Sequence, residues 1–251
     1  MNKKRIGDRF IELSNQEMNR FYPDDITPMF AWMDDILTTK KPVIFDIGAN
    51  IGLFSLSYAS LYQESEIYAF EPVPFIHNIL QGNIERNSEI SRNIRPINLG
   101  LSNQEELKDL SMPTSDQHER YKDNINIGLY SALGDGKEKY SSRFITIDNF
   151  FESNSLSSLD FIKIDVEGYE YNVLEGGKET FSNFKPLIIF ELNEMTLKLS
   201  GRSPQEYIDF AKNLHYDVYG LEYGWKKDLL PIQKIEDIDG VSDIVLIHKD
   251  K

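Results

Sequence analysis

Carboxylates and glycines fall at the ends of apolar runs along much of this chain. In VIFDIGANIG, Val43 to Gly52, Asp46 is followed by Gly48, Asn50 and Gly52. Glycine reaches backbone conformations closed to other residues and lets a ligand approach the main chain, so this turn reads as a cofactor cradle. A dinucleotide fingerprint would need G-x-G-x-x-G, but Asn50 and Leu53 stand where its second and third glycines belong. A carboxylate at Asp46 would oppose a pyrophosphate and attract an ammonium or sulfonium group. Glu71 lies 25 residues further on, at the end of a second apolar run, where an acid can accept both hydroxyls of a ribose. A nucleoside carrying a positive charge satisfies both acids, and S-adenosylmethionine is the common metabolite of that description. Ser102, after a third run, is expected beside the adenine.

A second group of oxygen-bearing residues follows. Asp165 and Glu167 in IDVEG, and Glu191 and Asn193 in FELN, end two more runs. Methyl transfer from a sulfonium is a substitution at carbon, and an alcohol acceptor must lose a proton during it. Asp165 and Glu167 are the expected catalytic carboxylates that take this proton. Asp165, Glu191 and Asn193 would instead supply hard oxygen ligands for magnesium or manganese, which lowers the pKa of a bound hydroxyl. His77 and His118 are further base candidates, although a lone histidine is more often a packing or surface residue.

These side chains need a frame that brings strand ends together. The runs PVIFDI (42–47), EIYAFE (66–71), IRPINLG (94–100), FIKIDV (161–166) and PLIIFEL (186–192) alternate with helical patterns, which is the rhythm of a parallel sheet. Ile76, Ile79, Leu80 and Ile84 share one helical face, and Ser203 before Pro204 marks another helix start. YDVYGLEY (216–223) and SDIVLIHKD (242–250) are expected to form an antiparallel hairpin at the sheet edge. In such a sheet ligands bind outside the carboxyl ends of the strands, where Asp46, Glu71, Asp165 and Glu191 fall.

Two blocks break the rhythm. Residues 1–41 are expected as a helical or irregular lid before a domain spanning 42–251, and residues 103–143 as a substrate loop inserted in it. Asn124, Asn126, Ser131, Asp135 and several tyrosines in the insertion suit a polyol, so the expected acceptor is a small carbohydrate. The formal charge of −14 disfavours a long phosphate backbone, so nucleic acid is not an expected partner. The chain has no cysteine, which excludes disulfides and thiolate metal sites. No run approaches the length of a membrane span and no apolar segment follows the basic N-terminus, so a cytoplasmic location is expected.

DIGANIGLFS, YAFEPVP, FIKIDVEGYEYNVLEGG and IIFELN together resemble the FkbM-type S-adenosylmethionine-dependent methyltransferases. The resemblance covers roughly Pro42 to Asn193, and KIDVEGYEYNVLEGG is its most specific piece. It implies a class I methyltransferase fold, a seven-stranded and mostly parallel sheet with helices on both faces, and transfer to a hydroxyl, often on a sugar or polyketide. The alternatives are a non-catalytic module that keeps the nucleoside pocket, and a nicotinamide-dependent oxidoreductase, which the broken fingerprint disfavours.

Overall fold

The structure, a computed structural model, describes residues 3–14, 22–33, 36–114, 127–222, 229–232 and 241–251. Its centre is one sheet of eight strands. In chain order these are β3 (Val43–Ile47), β4 (Glu66–Phe70), β5 (Ile94–Ile97), β9 (Phe161–Ile164), β10 (Leu187–Glu191), β11 (Tyr216–Glu222), β12 (Leu230–Pro231) and β13 (Val241–His248). They lie side by side in the order β12-β11-β13-β10-β9-β3-β4-β5. The five strands from β10 to β5 are parallel, and β13, β11 and β12 are antiparallel additions. The expected class I architecture is therefore present, with a two-residue strand β12 beyond the seven expected. All four residues of β9 are buried, as befits a central strand covered on both faces.

The helices begin where local chemistry starts them. α1 (Leu53–Leu61) follows Gly52, whose φ of 90° turns the chain out of β3. α2 (Pro74–Arg86) has proline in its first turn, where no amide hydrogen is needed. After α3 (Ile147–Ser153), the two short helices α4 (Glu170–Glu175) and α5 (Lys178–Phe184) connect β9 to β10. Asn193 caps α6 (Glu194–Ser200), and Ser203 with Glu206 forms a capping box on α7 (Pro204–Asn213).

Both blocks expected to be irregular contain strands. Residues 1–41 hold a hairpin of β1 (Lys3–Ile6) and β2 (Arg9–Glu12), and a 3₁₀ helix over Thr27–Met33. Two asparagines of α2 fasten the hairpin to the domain. Asn87 exchanges two 2.8 Å hydrogen bonds with the backbone of Glu12, and the Asn83 Oδ1 accepts from the Ser14 amide at 2.9 Å. In the 103–143 segment, β7 (Glu106–Leu110) and β8 (Tyr140–Ile145) join β6 (Gly100–Leu101) in a separate three-stranded sheet. The two segments lack a sustained sequence period because their strands are short and half exposed, as the alternating burial of β7 reflects.

Candidate active site

The turn after β3 is shaped by close backbone approach. Gly48 has a φ of 78°, and a Cβ there would stand 1.9 Å from the carbonyl oxygen of Asp165, so only glycine lets β3 and β9 end this near each other. Asn50, at φ 51°, donates its amide to Glu71 Oε2 at 3.0 Å, and Val73 donates to Oε1 at 2.9 Å. Glu71 is thereby locked at the mouth of a cavity that Gly48, Asn50, Glu71, Leu99, Gly100 and Leu101 line. Burial raises the Glu71 carboxyl to about 7 against the pull of the two amides.

A second cavity, of about 440 Å³, opens on the other side of Asp165, the one acidic residue that lines both. Tyr22, Phe30, Trp32 and Phe54 give it ring walls, and Asp165, Glu167, Glu191 and Asp243 supply carboxylates. Lys4, itself buried, holds the start of this wall by donating to the Tyr22 carbonyl at 2.7 Å. Each of Asp165, Glu167 and Glu191 offers an oxygen within 4.8 Å of the others. Burial and the adjacent Asp165 charge push both glutamic acids well above the usual carboxyl range.

Lys163 is the only basic side chain lining this second cavity among the described residues. Its Nζ donates to Asp165 Oδ2 at 2.9 Å, lies 3.8 Å from Asp46 Oδ1 and sits 4.4 Å from the Phe54 ring centre. Burial opposes its charge, but Asp165 and Asp46 outweigh burial and hold the ammonium above its ordinary range. Glu170 supports the neighbouring turn. Fully buried, its Oε1 accepts from the amides of Val166 and Gly168, on either side of Glu167, whose φ is 54°.

Several expected residues stand elsewhere than the sequence suggested. Gly48, Asn50 and Glu71 line the first cavity, but Asp46 lines neither: wholly buried, it accepts from Ser55 at 2.5 Å and faces Lys163. Gly52 is not among the residues that line the first cavity; its φ of 90° favours glycine, and a Cβ there would meet the Leu80 side chain at 2.6 Å. Ser102 is buried beneath the first cavity, its hydroxyl 3.1 Å from that of Tyr169, while Leu99, Gly100 and Leu101 line the cavity in its stead. The Asn193 Oδ1 accepts from the amides of Met195 and Thr196 in the α6 cap and its Nδ2 donates to Glu191 Oε1 at 2.7 Å, while Glu167 joins Asp165 and Glu191 in the acidic cluster. His77 is buried on α2 and lines neither cavity, whereas His118, Asn124 and Asn126 lie outside the described residues. Ser131 donates to the Glu167 carbonyl, and Asp135 accepts from Thr114. The described parts of 103–143 that reach these cavities, Leu110 and Ile127 to Ala132, border the first one rather than the second.

Two residues escaped the sequence reading. Lys163 was detectable as the one basic residue in the apolar run FIKIDV, two residues before Asp165 and so on the same face. Tyr22 carried no such signal, because its place in the cavity depends on how the N-terminal segment docks.

The model of the Methyltransferase FkbM domain matches residues 46–218. The chain is 30% identical over 187 residues to the methyltransferase sdnD of Sordaria araneosa, covering 66% of this chain and 70% of that protein. It is 27% identical over 198 residues to the AMB antimetabolite synthetase AmbE of Pseudomonas aeruginosa, a match over 68% of this chain and 9% of the synthetase. The crystal structure of a methyltransferase FkbM from Methylobacillus flagellatus superposes with a TM-score of 0.54 at 12% identity, covering 93% of this chain and 56% of that one.

Proposed function

From the premise that this chain belongs to the FkbM methyltransferase family, and is an S-adenosylmethionine-dependent methyltransferase, we propose that it methylates a hydroxyl oxygen of a sugar or sugar-nucleotide. The observation that carries this reading is Asp165 at the junction of two cavities. One cavity has the backbone turn and buried acid suited to a ribose, and the other has flat rings beside carboxylates. Rings pack against the C–H face of a sugar while carboxylates accept its hydroxyls, a combination that a wholly apolar acceptor would not use.

In this reading the Glu71 carboxylate accepts the ribose hydroxyls, with Gly48 and Asn50 shaping the turn beside them. The sulfonium methyl points toward Asp165. The acceptor oxygen attacks the methyl carbon, the carbon–sulfur bond breaks to leave S-adenosylhomocysteine, and the hydroxyl proton passes to Asp165 or Glu167.

The donor set also fits a divalent ion. Asp165, Glu167 and Glu191 offer three clustered oxygens, and a cation would relieve the repulsion that pushes the two glutamic acids up. Magnesium or manganese there would supply Lewis-acid lowering of the hydroxyl pKa.

Incubation with methyl-labelled S-adenosylmethionine and a panel of monosaccharides and sugar nucleotides tests the assignment. A methyl ether on a sugar is expected. Label found only on proteins, nucleic acids or lipophilic amines would overturn it.

A further inference from the structure

The geometry points to Lys163 as a positioning residue for methyl transfer: its ammonium fixes the Asp165 carboxylate at the junction of the two cavities, in the orientation that serves the reacting hydroxyl. This inference rests on the reading that the acceptor occupies the cavity beside Asp165. The placement is built into the sheet. Lys163 pairs directly with Asp46 in the parallel register of β3 and β9, and Asp165 follows two residues later on the same face. One ammonium therefore stands between two carboxylates, with the Phe54 ring against it.

The distances separate a functional arrangement from a simple buried ion pair. A lysine retained only to neutralise the wholly buried Asp46 would sit closest to it, yet the 2.9 Å contact is to Asp165 and the 3.8 Å contact is to Asp46. Among the described residues no other hydrogen bond reaches the Asp165 side chain, so Lys163 alone sets its orientation. Without that bond no hydrogen bond among the described residues holds the Asp165 carboxylate toward the junction, and it turns away.

The test uses the full chain with Lys163→Met, Lys163→Arg and the double variant Asp46→Asn with Lys163→Met. For Lys163→Met, kcat is expected to fall about 100-fold, the scale of a misplaced reacting group, while the acceptor KM changes less than about threefold. Arginine, which keeps a charge for Asp165, should recover at least about tenfold of that loss. If Lys163→Met leaves Asp46 unpaired and fails to fold, the double variant removes the buried charge along with its partner and should fold, yet it should remain as slow. Wild-type kcat in the folded Met or double variant would overturn the inference. A crystal structure of either variant with S-adenosylhomocysteine reads the same point without an acceptor. Asp165 turned away supports positioning, and Asp165 unmoved refutes it. Failure of the sugar reading would show separately, as a wild-type protein that methylates no sugar.

Discussion

At the scale of single residues, the site is governed by carboxyl groups buried without a full set of partners. Glu71 and Glu170 are each raised to about 7, mainly by burial. Below about pH 4.5 the folded and unfolded chains both hold these protons, and between there and about 7 the folded chain holds more. Raising the pH through this window therefore destabilises the ligand-free protein, and its Tm is expected to fall between pH 5 and pH 8. Glu71→Gln should make that fall smaller, as calorimetric scans at each pH can show. Ribose hydroxyls donate best to an ionised carboxylate, so with Glu71 in the proposed ribose-binding role, binding of S-adenosylhomocysteine is expected to expel its proton at low pH. Affinity should rise as pH increases toward and past 7, and Glu71→Gln should abolish the slope and weaken binding at pH 8 by about 1 to 3 kcal/mol. A slope unchanged in the variant would remove Glu71 from the ribose site. The same residue scale holds the metal question. Chelation followed by add-back of magnesium or manganese is expected to suppress and then restore turnover, whereas unaltered turnover leaves Asp165 and Glu167 as the proton acceptors by themselves.

Between residue and fold stand the elements that aim these groups. Gly48→Ala should cost about 2 kcal/mol or more by chemical denaturation, because the new Cβ collides with the Asp165 backbone, not with a side chain that can swing aside. Asn83 joins three segments: it accepts from Ser14 and donates to the carbonyl of Ile51, so it ties the N-terminal hairpin to the turn after β3. Asn83→Ala leaves those backbone groups unpaired and is expected to lower stability by about 1 to 3 kcal/mol. The strand ends bearing Asp46, Glu71, Asp165 and Glu191 are legible in the sequence because each closes a short apolar run before a helical pattern. What each side chain touches is less legible. Asp46 and Gly52 sit in a motif suited to a ligand, but the register of β3 against β9 hands Asp46 to Lys163, and the positive φ of Gly52 is the turn that leads the chain into α1. Asn193 at a strand end is equally an N-cap, and in a sequence the two roles look the same. Ser102 follows directly on the three residues Leu99 to Leu101 that line the cavity, and its hydroxyl turns instead to that of Tyr169.

At the scale of the whole molecule, the parallel sheet gathers five strand ends along one edge, and segments outside it complete the two cavities. Ile127 to Ala132 line the first cavity, and Tyr22 to Met33 wall the second. Neither closure follows from periodicity, since both depend on long-range docking of short elements. No helix among the described residues is long and apolar enough to cross a membrane. We propose that this family member moves a methyl group from S-adenosylmethionine to a sugar hydroxyl with Asp165 at the point of transfer. The most direct measurement is carbon-13 NMR of the product made from methyl-labelled cofactor by the wild type and by Asp165→Asn. A single new O-methyl resonance on a sugar ring is expected with the wild type, and a rate at least about 100-fold lower with Asp165→Asn despite retained S-adenosylhomocysteine binding. An N-methyl or C-methyl product, or an Asp165→Asn variant as fast as the wild type, would contradict it.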